Sequence, residues 1–382
     1  MREVPSLNSM VRSLYASRTV LLFWWMTRGT VRFSERVEVR FTAACTPAAV
    51  PFANVMPIGD GWTISTPAAE RLDSLALDQV FRDVYADDDT WMMKSLLVFR
   101  NGKLVAESYL KDEADRTTRA AIWSCTKQVN SIITGIAIDQ GYIGGVQDSI
   151  SKYLPEYLDR HPAKKGITLE HLLTMSSGLA FYNGKEPDVI RQHKMDNSID
   201  FILGLDQADP IGTRFHYNDG DPQLVSAVVQ RATGFPLDAY GKQVLFDRIG
   251  FTNYEWVRYS DGVTIGAFGI LTTPRELAKI GECVLDSGRY QGQQVIPTEW
   301  WHDMLAARIA NAHDDAAFGY YWWSIPAKGW YFMWGHGGQY VFLLPSKRLM
   351  VVATSLPQVE DDFALWYEDI VRIAESVSAA AY

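Results

Sequence analysis

Strand patterns sit at both ends of this chain and helix patterns fill its middle, an order that few architectures accommodate. Ser95 to Arg100 and Lys103 to Tyr109 read as two strands, and Asn101-Gly102 between them is a hairpin signal. Gly319 to Ser324, Trp330 to Trp334, Gln339 to Leu344 and Leu349 to Thr354 read as later strands, with Pro345-Ser346-Lys347 as a turn. Helices are expected over Ala68 to Tyr85, over Ile167 to Met175, behind Asp221-Pro222 as N-cap and first-turn proline, and from about Asp361 to Val377. The last of these carries Phe363, Trp366, Tyr367, Ile370 and Ala374 on one face. An α/β (α+β) fold satisfies this order: an antiparallel sheet built from the two ends, flanked by helices, with an all-helical domain inserted. The expected divisions are an N-terminal extension over 1–62 that can be partly disordered, a sheet domain of 63–135 plus 260–382, and a helical domain over 136–259.

Bulk properties exclude several functions. Apolar residues make up 47% and charged residues 21% of 382 positions, enough for a sizeable core. The net charge is −9 with no long basic run, which argues against nucleic acid or an anionic membrane as partner. Cys45, Cys125 and Cys283 have no metal-type spacing and do not form a disulfide framework, although one bridge stays open. His-Glu-x-x-His, Walker-type, Gly-x-Gly-x-x-Gly and Gly-x-Ser-x-Gly motifs are all missing. The apolar run Val20 to Met26 is too short to span a bilayer, and the charges after it weaken a signal-peptide reading. A cytoplasmic location is the expectation. Thirteen tryptophans and eighteen tyrosines are many, and some could line an apolar cleft.

The strongest chemical signal is Ile122-Trp123-Ser124-Cys125-Thr126-Lys127-Gln128. Val129, Ile132, Ile133, Ile136 and Ala137 follow at helical spacing, and Gly141 stops the helix. Residues three apart share a helix face, so Ser124 and Lys127 can touch. An amine held out of water can take a serine's proton, and a helix N-terminus favours developing negative charge. Cys125 projects about a hundred degrees round the helix and reads as a buried small residue. Two further segments stand out. Phe215-His216-Tyr217-Asn218-Asp219 precedes a capped helix, and a phenol near a lysine cation would have a lowered pKa and could shuttle protons. Trp334-Gly335-His336-Gly337-Gly338-Gln339 opens a strand, where glycines allow close approach of a substrate, or else simply turn the chain.

Taken together, Ser124-Cys125-Thr126-Lys127, Tyr217-Asn218-Asp219 and His336-Gly337-Gly338 resemble the Ser-x-x-Lys, Tyr-x-Asn and Lys-Thr-Gly (or His-x-Gly) motifs of the serine β-lactamase and penicillin-binding-protein superfamily. The resemblance is nearer to the class C branch with its related esterases and 6-aminohexanoate-dimer hydrolases, and it runs from about Trp62 to the C-terminus. It implies a β-lactamase/transpeptidase-like fold and a serine hydrolase acting on small ester or amide substrates without a cofactor or metal. It further implies Ser124 as nucleophile, Lys127 and Tyr217 as proton carriers, and the main-chain amides of Ser124 and Gln339 as oxyanion hole. Asp219, His336, Gly337 and Gly338 would contact substrate, and Tyr182 would form part of its wall. Asp219 stands where the family has asparagine and His336 where it has lysine, which favours esters or short amides over β-lactams. The competing readings are a D-alanyl-D-alanine carboxypeptidase or β-lactamase, and a non-catalytic binding protein on the same scaffold.

Overall fold

A computed structural model describes residues 55–183, 193–356 and 365–382. Its first strands, β1 (Met93–Arg100) and β2 (Lys103–Tyr109), form the expected hairpin. Asn101 and Gly102 take φ of 54° and 74° at its turn, the conformation that matches strand twist. Three short strands, β3 (Ala120–Ala121), β4 (Tyr254–Trp256) and β5 (Ile270–Thr272), make a small sheet beside the helical region. A minor hairpin joins β6 (Arg289–Tyr290) to β7 (Gln293–Gln294). The remaining strands are β8 (Ile309–His313), β9 (Ala316–Phe318), β10 (Trp323–Ile325), β11 (Trp330–Gly335), β12 (Gln339–Leu344) and β13 (Leu349–Ser355).

The main sheet has eight strands in the order β2-β1-β13-β12-β11-β10-β9-β8. Every pairing in it is antiparallel, and β1 lies against β13, so the two ends of the chain do build one sheet. Strands β12 and β13 are buried along their whole length, which explains why both read as unbroken apolar runs. Helix Pro274–Leu285 covers one face. Its Gly281 lies so near Val341 and Met350 that a Cβ would sit 2.7 and 2.5 Å from their side chains. Residues of opposite parity face the other way. There Phe332 stacks on Phe342 at 4.7 Å, and Tyr367 of the terminal helix Tyr367–Ala379 covers them.

Several boundaries differ from the sequence expectations. Ala68 to Tyr85 is not one helix: Arg71 turns left-handed at φ 58°, and a second helix, Ser74–Ala86, restarts behind the Asp73 cap. Asp221 is not a cap, because helix Gly220–Thr233 starts two residues earlier than expected, with Asp219 at the N-cap position. Of the segment Gly319 to Ser324 only Trp323 and Ser324 are in a strand, and the hairpin β8–β9 before it was not foreseen. The Ile167 helix is shorter, Leu169–Leu173, held by a Thr168–His171 capping box. Trp366 is 52% exposed rather than on the buried face, and Phe363 lies outside the described residues. Residues 55–62 pack on the body: Trp62 Nε1 donates to the Arg275 carbonyl at 2.9 Å, and Asp60 pairs with the Arg275 guanidinium at 3.1 Å. Cys125 and Cys283 are both free and buried, while Cys45 is outside the described residues. No helix among the described residues is long and apolar enough to cross a membrane.

Candidate active site

Strand β3 leads through Ile122 and Trp123 into helix Cys125–Asp139, with Ser124 at its N-cap position. Trp123 holds φ at 49°, which is unusual for a bulky residue and marks stored strain at the turn. The turn is closed by the Thr126 amide on the Trp123 carbonyl at 2.9 Å and the Lys127 amide on the Ser124 carbonyl at 2.9 Å. Ser124 thereby projects from a sharp strand-to-helix corner, with its own side chain making no cap bond.

One turn into the helix, Lys127 is fully buried. Its Nζ donates to Ser124 Oγ at 2.7 Å and to the Ala267 carbonyl at 3.2 Å. Asp219 Oδ1 is 2.6 Å from the same nitrogen, off the hydrogen-bonding direction, so this contact is chiefly one of charge. The Tyr217 ring centroid is 5.0 Å from Nζ, and its phenol is close enough to Ser124 and Lys127 for both to act on its proton. The hydroxyl, amine and phenol therefore meet as expected.

The electrostatics correct two expectations. Burial pushes the Tyr217 phenol up and the Lys127 charge pulls it down; with the Asp219 charge adding to burial, the net shift is upward and not the lowering the lysine alone would give. For Lys127, burial works toward the amine, but Asp219 and Tyr217 outweigh it and the net shift is upward, toward the ammonium. Asp219, read from the sequence as a substrate contact, has Lys127 as its near neighbour, while its main-chain amide donates to Asn183 Oδ1 at 3.0 Å.

In front of Ser124 opens a cavity of about 790 Å³. Ser124, Tyr217, Asp219 and His336 line it together with Trp123, Asn183, His193, Phe215, Phe268, Ala312, His313, Trp323 and Trp334. Only the abundance of tryptophan hinted at these walls. His336 is exposed at the mouth, edge-on to Trp123 at 5.4 Å between centroids. Gly337 and Gly338 do not line the cavity: with φ of 76° and 98° they form the turn from β11 to β12. A Cβ on Gly338 would come within 2.5 Å of Leu365, so that glycine serves the turn and its packing. Tyr182 is also off the wall. It is 46% exposed and packs edge-on against His216 at 5.1 Å, while the next residue, Asn183, faces the cavity.

Gln339 closes the site from the sheet. Its side chain is turned away, with Nε2 donating to the Ser355 carbonyl at 3.1 Å and Oε1 accepting from the Ser355 amide at 3.3 Å. Its carbonyl accepts from Cys125 Sγ at 3.4 Å. Gly335 beside it permits the approach, since a Cβ there would lie 2.2 Å from the Ile122 carbonyl. The β11–β12 end is thus seated against the Ser124 turn. Cys125 is the buried small residue expected, its thiol pushed up by burial and far from a thiolate. Among the described residues no group of three or more His, Cys, Asp or Glu could hold a metal ion.

Comparison with known proteins agrees with this geometry. The 6-aminohexanoate-dimer hydrolase of Paenarthrobacter ureafaciens is 24% identical over 276 residues, covering 66% of this chain and 67% of that protein. Two solved structures share the fold. EstCE1, described as a hydrolase with promiscuous acyltransferase activity, superposes with a TM-score of 0.62 at 16% identity, covering 82% of this chain and 100% of its own. A class C β-lactamase does so with a TM-score of 0.61 at 13% identity, covering 80% and 96%. The model of the Beta-lactamase family matches residues 93–372, which is most of the chain and all of the site just described, and the chain belongs to that family.

Proposed function

We propose that this member of a hydrolase family cleaves carboxylic esters or small amides through an acyl-enzyme on Ser124. The observation that carries this reading is the 2.7 Å contact between Lys127 Nζ and Ser124 Oγ, the hydroxyl that opens on the cavity. In the acylation step the Ser124 oxygen attacks the substrate carbonyl while its proton passes to Lys127 in its amine form. Tyr217, a neutral phenol touching both, gives a proton to the departing alcohol or amine and is refilled from Lys127. The amide of Ser124, at a helix N-terminus, and the amide of Gln339 would receive the oxyanion. Water then enters, gives its proton to the same pair and releases the acid. At position 219 the family's asparagine is replaced by a carboxylate beside Lys127, which has no amide to donate to a β-lactam, and this favours the ester or short-amide reading over a β-lactamase or carboxypeptidase.

The test is intact-mass detection of the acyl adduct after exposure to p-nitrophenyl acetate, butyrate and a panel of short amides. Wild type should gain one acyl group, mapped to Ser124, and Ser124→Ala should gain none and lose hydrolysis while melting at the wild-type temperature. Persistent hydrolysis by a folded Ser124→Ala variant would reject the reading.

A further inference from the structure

We propose that Asp219 holds Lys127 as an ammonium in the resting site and so places the working range of the Ser124–Lys127 pair on the alkaline side. The inference rests on the acyl-enzyme reading above and adds a positioning residue to it. Lys127 has no exposed surface, and the side chains and carbonyls that meet it come from three elements. Its own helix supplies Ser124, while the buried Cys125 thiol on that helix is engaged by the Gln339 carbonyl. The loop before helix Gly220–Thr233 supplies Tyr217 and Asp219, and the segment ahead of β5 supplies the Ala267 carbonyl. His193, His313 and His336 line the cavity, and no arginine or lysine lines it among the described residues.

Of these groups Asp219 is the one carboxylate, 2.6 Å from Nζ. A bare ammonium in a buried site sheds its proton readily, and an adjacent carboxylate reverses that preference. An ammonium can donate to Ser124 Oγ, as it does here, but it has no lone pair with which to take the serine's proton. Turnover therefore waits for the fraction of enzyme in which Lys127 is an amine. The carboxylate that orders the site also keeps that fraction small near neutral pH. The sign follows: with Asp219 present the rising limb of the pH profile lies high, and without it burial alone acts on Lys127 and the limb moves to lower pH.

The experiment is the pH dependence of kcat/KM for p-nitrophenyl butyrate in wild type, Asp219→Asn and Asp219→Glu, with thermal melts and intact-mass readout of Ser124 acylation on each. The rising limb of Asp219→Asn should move down by roughly one pH unit or more, making it about tenfold faster than wild type at pH 7. Asp219→Glu, which restores the charge, should keep the wild-type limb even where its rate falls. A limb that stays in place in Asp219→Asn overturns the inference. So does a folded Asp219→Asn variant with no acylation at any pH, which would make the carboxylate an obligatory proton acceptor. Absence of a Ser124 adduct in wild type with every ester would instead remove the hydrolase reading on which the inference stands.

Discussion

A lysine three residues after a serine can serve as its base or merely as its hydrogen-bond donor, and which one depends on neighbours from elsewhere in the chain. Replacing Lys127 by methionine keeps its length and removes both roles. We expect kcat/KM to fall about 10³-fold, within the range typical of a lost acid–base group, with Ser124 remaining and the fold intact by circular dichroism. Tyr217→Phe separates the two halves of the proton path. A p-nitrophenolate departs without a proton, whereas an amine cannot, so the loss should be tenfold or more greater for an anilide than for the matching p-nitrophenyl ester. Equal losses on both substrates would remove Tyr217 from leaving-group protonation. The Ser124–Lys127 meeting was legible because it is local: helical spacing brings positions three apart together whatever the tertiary fold. The Asp219–Lys127 pair was not, because it joins residues 92 positions apart and no periodicity points from one to the other. Burial, with the Asp219 charge adding to it, is why the phenol's shift carries the opposite sign to the one read from Lys127 alone.

Elements were legible where one physical cause dominates. The Asn101-Gly102 hairpin and the apolar β12 and β13 strands follow from turn chemistry and from burial on both faces. Helix starts were less legible, because an aspartate before a proline looks like a cap whether or not tertiary contacts use it otherwise. Asp221 is such a case. It is fully buried inside the first turn of helix Gly220–Thr233, where its Oδ1 accepts from Ser177 Oγ at 2.6 Å and its Oδ2 has no partner. Burial pushes its carboxyl up to about 7, against which the Ser177 and Asn218 bonds work only in part. A carboxyl raised on folding binds its proton more tightly in the native state. Stability should therefore fall as pH rises from the unfolded value, near 4, to about 7, and level off above it. The slope is about 1 kcal/mol per pH unit. Urea unfolding between pH 4 and pH 8 checks this: Asp221→Asn should flatten that part of the profile, and an identical profile in both proteins would show that Asp221 is ionised in the native state. A second buried charge acts in the opposite way. Arg275 donates to Glu107 Oε2 at 2.8 Å and to the Met56 carbonyl at 2.8 Å, tying the Pro274 helix, β2 and residues 55–62 into one cluster. Arg275→Met takes two bonds from Glu107 and leaves it to Arg116 and Tyr109, which should cost roughly 1–3 kcal/mol at pH 7, less at pH 4 where Glu107 can take a proton.

At the scale of the whole molecule, the fold decides what may enter. The cavity lies where the far strands of the main sheet, carrying Trp323 and Trp334, meet the helical region, which contributes Phe215 and Tyr217, and where Trp123 flanks the nucleophile. Tyr217 and Trp323 are 5.9 Å apart by ring centroid and Trp323 and Trp334 are 5.3 Å apart, so this wall is a continuous aromatic surface. The carboxylate lining the cavity, Asp219, is paired with the buried Lys127 behind it, and the chain as a whole carries −9. Such a surface favours an uncharged substrate with a ring, since each aromatic contact adds about 0.5–1.5 kcal/mol beyond the area it buries. It offers an anionic substrate no unpaired cation among the described residues. We therefore expect p-nitrophenyl 3-phenylpropanoate to exceed p-nitrophenyl butyrate in kcat/KM by roughly tenfold after correction for their reactivity toward hydroxide. A carboxylate placed para on the phenyl ring should cancel that gain, and added salt should narrow the gap between the charged and neutral esters as repulsion is screened. Trp334→Leu, separated from Tyr217 by Trp323 along this wall, should erase the ring preference while sparing butyrate. If the carboxylated ester proved the better substrate, an anchoring cation would have to be sought at this site, and the competing carboxypeptidase or β-lactamase reading would regain its ground.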